Sequence, residues 1–408
     1  MARGTAVLRP GTSEAESRAQ TRAEARIEPP ATATARAASA DGSPAAAPAA
    51  GGSRTPAARR RPPLPALTGL RALAALWVVL FHYRTDLEAL APWLAPLDRL
   101  LSAGYLGVDL FFPLSGFVLA YNYADVLRSF SWRATQAFVQ NRFARVWPVH
   151  VVTLHVDLAM AVAAGTLGVG EGGHRRTADA YVQNLFMVHN WWNDRPSFNG
   201  PAWSISSEWF AYLLSPLLFL AVGRVRRGRV LVLLAALAYG AMLATYALLA
   251  LPNGNLEHLF FVRIMGEFLG GAFLCLAWVR GGRSLRRLLP LLPLGLLAVA
   301  LVPAASSGDY WMAPVLGVSV AALAASSGWT ARWLSTGWMV AAGEASYCLY
   351  MTHYLLQPLV RGLRQWGDGA WWSAALALLA VVAALGAAAW LLHVAVERPA
   401  RRRLYARS

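Results

Sequence analysis

Ionisable side chains inside long apolar segments are costly in lipid unless paired or hydrated, so each marks a place where chemistry could occur. The segment LTGLRALAALWVVLFHY holds two, Arg71 and His82. Their spacing is about three helical turns, which sets both on one face about 16 Å apart along the axis. An imidazole exchanges a proton near neutral pH, and a guanidinium holds an anion. Spacing alone leaves two readings open: a functional pair, or Arg71 snorkelling to one interface with His82 at the other.

Four further stretches add candidates. NGPAWSISSEWFAYLLSPLL puts Glu208 about one turn into an aromatic and apolar run, where an acid must be paired, protonated or facing water. Ser204 and Glu208, spaced i,i+4, share a face. In FVQNRFARVWPVHVV, Arg142 and Arg145 stand three apart at the expected mouth of a helix, with Pro148 near its start and His150 at the interface. Neighbouring guanidiniums offer paired planar donors suited to phosphate, although ordinary interfacial charge looks the same. GYLGVDLFFPLSGFVLAYNY places Asp109 beside Gly104 and Gly107, which permit close helix contact. In the same stretch, Ser115 and Gly116 leave room for a substrate or cofactor chain. GEASYCLYMTHYLLQP aligns Ser346, Tyr350 and His353 on one face, with Glu344 roughly opposite His353. Tyr347 and Tyr350 are open to cross-helix hydrogen bonds or plain packing. Arg263 and Glu267, also i,i+4, read as a structural intramembrane pair. Cys275 and Cys348 offer neither metal-ligand spacing nor a disulfide framework, so they read as packing residues and no metal is expected. No GxSxG elbow, phosphate-cradling glycine loop or HExxH is present in the sequence.

These residues need a scaffold, and composition names its class. The chain is 57% hydrophobic and 14% charged, against about 25% charged in soluble domains. Its apolar blocks reach the roughly 20 residues that cross a 30 Å hydrocarbon core. Backbone groups in lipid find no water, so such blocks are helices. The expected fold class is an all-α polytopic membrane protein with about ten transmembrane helices and both termini cytoplasmic.

The spans are expected near 64–83, 104–123, 146–168, 203–222, 230–251, 258–279, 288–304, 310–327, 338–360 and 371–395. The short apolar stretch 178–192 reads as re-entrant or interfacial. All 37 basic residues are Arg, and the net charge is +16. Arg groups before the first span and after the second, fourth, sixth, eighth and tenth fall on one side, as the positive-inside rule asks. An eleventh span would break that pattern. Arg placement between apolar segments points to topology and anionic lipid as partner, and excludes nucleic acid. The absence of Lys suggests a GC-rich bacterial source, hence a bacterial plasma (inner) membrane. Residues 1–62, rich in Arg, Ala and Pro, read as a disordered cytoplasmic tail that lacks a signal-peptide core. Residues 63–399 form the transmembrane domain, and 400–408 a basic cytoplasmic tail.

In order and spacing, Arg71 with His82, GVDLFFPLSGFVL, Arg142-x-x-Arg145 with VWP, WSISSE and SYCLYMTH together resemble membrane acyltransferase family 3. The resemblance runs from about Leu64 to Pro399. Pro113 departs from the usual apolar residue and puts the local helix shape in doubt. The resemblance implies O-acyl transfer, often acetyl, from acyl-coenzyme A as donor substrate, without metal or prosthetic group. The expected acceptor is a hydroxyl-bearing small molecule, sugar-containing or a secondary metabolite such as a macrolide; a cell-envelope glycan or lipid is the alternative. A transporter without acyl transfer is the second alternative. By the same resemblance His82 matches the catalytic histidine, with Arg71 and Glu208 beside it in the catalytic set. Arg142 and Arg145 match arginines needed for activity, here expected on the donor with Ser115 and Gly116. Asp109, Tyr350 and His353 complete the candidates.

Overall fold

The computed structural model describes residues 61–167, 176–192, 197–249, 260–281, 309–364 and 371–405. The expected span at 288–304 and nearly all of the expected tail at 1–62 lie outside these residues. The described chain is helical, with no strand.

Helix α1 (Pro65–Leu90) opens on a proline, whose missing N–H would have had no helical partner at that position. It is followed by α2 (Leu106–Tyr123), α3 (Trp132–Thr166) and a short α4 (Ala178–Leu185). Next come α5 (Trp203–Val222), α6 (Gly228–Leu249), α7 (Phe260–Arg280) and α8 (Met312–Ala325). The described chain closes with α9 (Gly337–Thr352), α10 (Gln357–Arg364), α11 (Trp371–Leu392) and α12 (Arg398–Leu404).

Among the described residues, seven segments are long and apolar enough to cross a membrane: 65–90, 92–123, 132–166, 200–222, 228–249, 260–280 and 372–404. Each covers an expected span. Two other spans prove shorter than expected. Helix α8 has 14 residues, about 21 Å. The stretch 338–360 is broken into α9 and α10 by a turn at residues 353–356. Helix α4, with eight residues, is far too short to cross.

The main boundary correction concerns α3. It begins not at 146 but at Trp132, where the Ser131 hydroxyl accepts the Ala134 N–H at 3.3 Å. Its 35 residues span about 52 Å, and Pro148 lies inside it. Arg142 and Arg145 therefore sit within the helix rather than at its mouth.

Helix α2 packs closely on α1, α7 and α8. A Cβ on Gly116 would collide with the Phe268 backbone of α7, and one on Gly271 with the Pro113 backbone of α2. Two glycines, one from each helix, thus set the closest approach. Pro113 lies in continuous helix, and the contact with Gly271 removes the doubt about local shape. The same helix pair is joined by Arg263, which donates from Nε and Nη2 to the two Asp109 oxygens at 2.9 and 2.8 Å. Arg263 also stands 3.5 Å from Glu267. The expected Arg263–Glu267 pair is present, but Asp109 is its stronger member. At the end of α2, Asp125 pairs with Arg61 at 2.5 Å and Arg280 at 3.2 Å. Partial burial opposes ionisation of Asp125, yet the two guanidiniums outweigh it and hold its carboxyl below the usual aspartate range.

Candidate active site

A cavity, with about 760 Å³ of empty space when its open mouth is counted, lies between α1, α2, α3, α5 and α9. Arg71, Ser115, Arg142, Arg145, Glu208 and Tyr350 all line it, so six of the ten candidate site residues converge on one space, joined by Ser204. The remaining wall is mostly apolar, from Val108, Phe111, Phe112, Leu114 and Ile205 among others, with Tyr212 and Tyr347.

Charge in the cavity is unbalanced, with three guanidiniums and one carboxylate. Arg142 Nη2 donates to the Tyr123 hydroxyl at 3.2 Å, and its guanidinium lies over the rings of Tyr123 and Tyr212, 5.4 and 5.9 Å from their centroids. Arg145 lies over Tyr347 at 5.7 Å and forms an ion pair with Glu397. The buried Nε atoms of Arg71 and Arg142 have no hydrogen-bond partner among the described residues. A buried donor left unmade is costly, and neighbouring guanidiniums are donors that suit an anionic partner.

Glu208 accepts a hydrogen bond from Tyr212 at 2.5 Å, and Ser115 Oγ lies 3.2 Å from the same hydroxyl. Ser204 Oγ lies 2.7 Å from the Tyr350 hydroxyl, which donates to the Pro201 carbonyl at 3.0 Å. Tyr347 donates to the Val146 carbonyl at 2.7 Å. Both late tyrosines therefore make the cross-helix bonds that their positions allowed.

His82 does not line this cavity. It is partly buried on α1, and its Nδ1 stands 3.3 Å from Nε2 of the fully buried His353. His353 follows Tyr350, a cavity residue, by three positions, which links the two places. The hydrogen bonds fix both tautomers. His353 Nδ1 lies 2.6 Å from the Tyr350 carbonyl, which can only accept, so that nitrogen carries the proton. Neutral His353 then presents Nε2 as an acceptor. His82 Nδ1 faces that acceptor and the Val78 carbonyl at 2.9 Å, so it donates. The lone pair of neutral His82 is left on Nε2.

Two candidates fall elsewhere. Gly116 is taken up by the helix contact with Phe268, and Asp109 by Arg263; neither lines the cavity. Glu208 is bonded by Tyr212, one turn along α5. Type and spacing also missed several residues. Tyr212, one turn after Glu208, was readable from i,i+4 spacing. Glu397 was hidden among the flanking arginines. The segment before α5 read only as a short apolar stretch, with no sign of its backbone shape: buried Met187 and Phe198 adopt φ of 58° and 51°, a region disfavoured for bulky residues. Asn199 pins that segment to the Met351 carbonyl at 2.9 Å, beside His353.

Comparison with known proteins bears on this geometry. A Streptomyces mycarofaciens protein, Acyltransferase MdmB, is 29% identical over 385 residues, covering 84% of this chain and 92% of its own length. A Staphylococcus aureus (strain COL) protein whose O-acetyltransferase name is provisional is 24% identical over 219 residues. That match covers 48% of this chain and only 32% of the staphylococcal one. Protein 2 in picA locus of Rhizobium radiobacter is 36% identical over 104 residues, 25% of this chain and 48% of its own. No solved structure matches. The acyltransferase domain model spans residues 64–393, and with that span the chain belongs to the acyltransferase 3 family, a multi-pass helical membrane enzyme that moves acyl groups.

Proposed function

We propose that the enzyme moves a short acyl group, acetyl being the first to test, from an acyl-coenzyme A to a hydroxyl of a small acceptor. The observation that carries this reading is the convergence of Arg71, Arg142 and Arg145 on one cavity with two guanidinium Nε atoms unpartnered among the described residues. Such a fork cluster suits the phosphates of coenzyme A, while the apolar wall suits the pantetheine arm and acyl chain.

In the proposed reaction, His82 Nε2 takes the acceptor hydroxyl proton as its oxygen attacks the thioester carbonyl. The carbon–oxygen bond forms, the carbon–sulfur bond breaks, and the proton passes from His82 to the departing thiolate. The products are an O-acyl ester and free coenzyme A. The arginines hold the anionic end of the donor. Arg71 and His82, about 16 Å apart along one helix, match a donor held by its charged end while its thioester reaches inward. Glu208 with Tyr212 is assigned to binding of the acceptor or donor arm. Ten spans with cytoplasmic termini in a bacterial inner membrane would bring donor to the arginines from the cytosol.

For the acceptor we favour a sugar-containing or secondary-metabolite hydroxyl, such as a macrolide. Support comes from the nearly end-to-end match to a Streptomyces acyltransferase; an envelope glycan or lipid is the alternative. Purified protein given acetyl-, propionyl- and longer acyl-coenzyme A with hydroxylated macrolides should release free thiol and ester in equal amounts. Arg142→Ala and Arg145→Ala should each raise the donor KM about ten-fold or more. Unchanged donor KM in both variants would remove the arginines from donor binding, and transport without thiol release would replace the transferase reading of the site.

A further inference from the structure

Glu397 is a carboxylate that the reaction above does not use, and it is 1% exposed. It lies at the last residue of a π-helical turn, His393–Glu397, between α11 and α12. The turn has a local cause. Pro399 has no N–H for an i→i−4 bond, and its ring would crowd the Ala395 carbonyl, so the ladder widens by one residue. Within this turn Glu397 is buried.

There both carboxylate oxygens are engaged. Oε2 accepts from His393 Nδ1 at 2.8 Å and from the Cys348 thiol at 3.3 Å. Oε1 faces Arg145, which lines the cavity, and Arg401 of α12 at 3.6 Å. Helix α12 is itself tied to α3, because Gln140 donates to the Leu404 carbonyl at 2.8 Å. Arg145 is thus gripped between Tyr347 on one side and a carboxylate anchored from three elements on the other. Among the described residues, Arg142 and Arg71 form no ion pair with a carboxylate.

Cys348, His393 and Glu397 come close enough to suggest a metal, their ligand atoms lying within 4.8 Å of one another. A cation there would have to sit beside two guanidiniums that already use the carboxylate, so charge favours the ion pair.

We infer that Glu397 is a positioning residue that aims Arg145 into the cavity, set in place by the π-turn and by His393 and Cys348. The inference rests on the donor reading of the cavity. It is tested with the purified full-length protein by direct binding of acetyl-coenzyme A, which needs no acceptor. Glu397→Gln should weaken binding about ten-fold, and Glu397→Asp should recover part of the loss. In an Arg145→Ala background the same Glu397→Gln change should add less than about two-fold. Where Glu397→Gln does not fold, His393→Asn and Cys348→Ala keep the carboxylate and loosen its anchor; each should weaken binding about two- to five-fold in the wild type only. Arg145→Ala binding as tightly as wild type would end the donor reading itself. Arg145→Ala weak but Glu397→Gln tight, or full-sized losses persisting without Arg145, would overturn the positioning role. So would a bound metal whose chelation reproduces the loss.

Discussion

His82 Nδ1 has two acceptors within reach, the Val78 carbonyl and His353 Nε2. Its proton is held there, and Nε2 is free to act as base. This division of labour predicts different failures at the two histidines. His82→Ala should cut turnover about 10²- to 10⁴-fold while acetyl-coenzyme A binding stays within about two-fold of wild type. His353→Ala should lower kcat by about ten-fold and leave donor KM unchanged, since the base remains but its tautomer is no longer enforced. Equal loss of donor affinity in both variants would show that the pair supports the fold rather than the proton transfer. Arg71 and Glu208 stood out in the sequence because charge inside an apolar segment is costly, and Arg142 with Arg145 because two neighbouring guanidiniums suit an anion. The pairings of Asp109 and Glu397 were not. Their partners, Arg263 and Arg145, lie in other helices, and one sequence carries no sign of which helices touch.

At the scale of helices, most expected spans were readable, since lipid demands long apolar runs. The departures have local causes. A polar stretch from Trp132 to Arg145 hid the first part of α3, because it resembles a loop by composition; the Ser131 cap was its overlooked start signal. The break at residues 353–356 falls in a run apolar enough to read as helix throughout. The α2–α7 contact, with Gly116 and Gly271 facing backbone and Asp109 bonded to Arg263, yields a stability prediction. Gly116→Val should destabilise the protein by about 1–3 kcal/mol through overpacking, read as a fall in apparent Tm in detergent. A Tm equal to wild type would mean that the helices separate easily. Arg263→Leu should be harsher, because it strands buried carboxylates.

For the molecule as a whole, Arg61 and Pro62 tie the described start of the chain to α2: Arg61 pairs with Asp125, and Tyr121 donates to the Pro62 carbonyl at 3.0 Å. Removing residues 1–60 should leave transfer activity and Tm unchanged, whereas removing 1–63 should lower Tm. Asp125→Asn tests the same clasp through pH. A carboxyl held below its ordinary value stabilises above its unfolded pKa and loses that contribution as pH falls through its folded value. The Tm gap between wild type and Asp125→Asn should therefore be full near neutrality and shrink only in acid, below the usual aspartate range. Helix α3 has one more consequence. Its apolar part, from Val146 to Thr166, measures about 31 Å, already the thickness of the oily layer, so the preceding 14 residues overshoot it. Arg142 and Arg145 therefore stand at a shoreline, and a highly charged nucleotide thioester can moor there with its head in water and only its tail ashore.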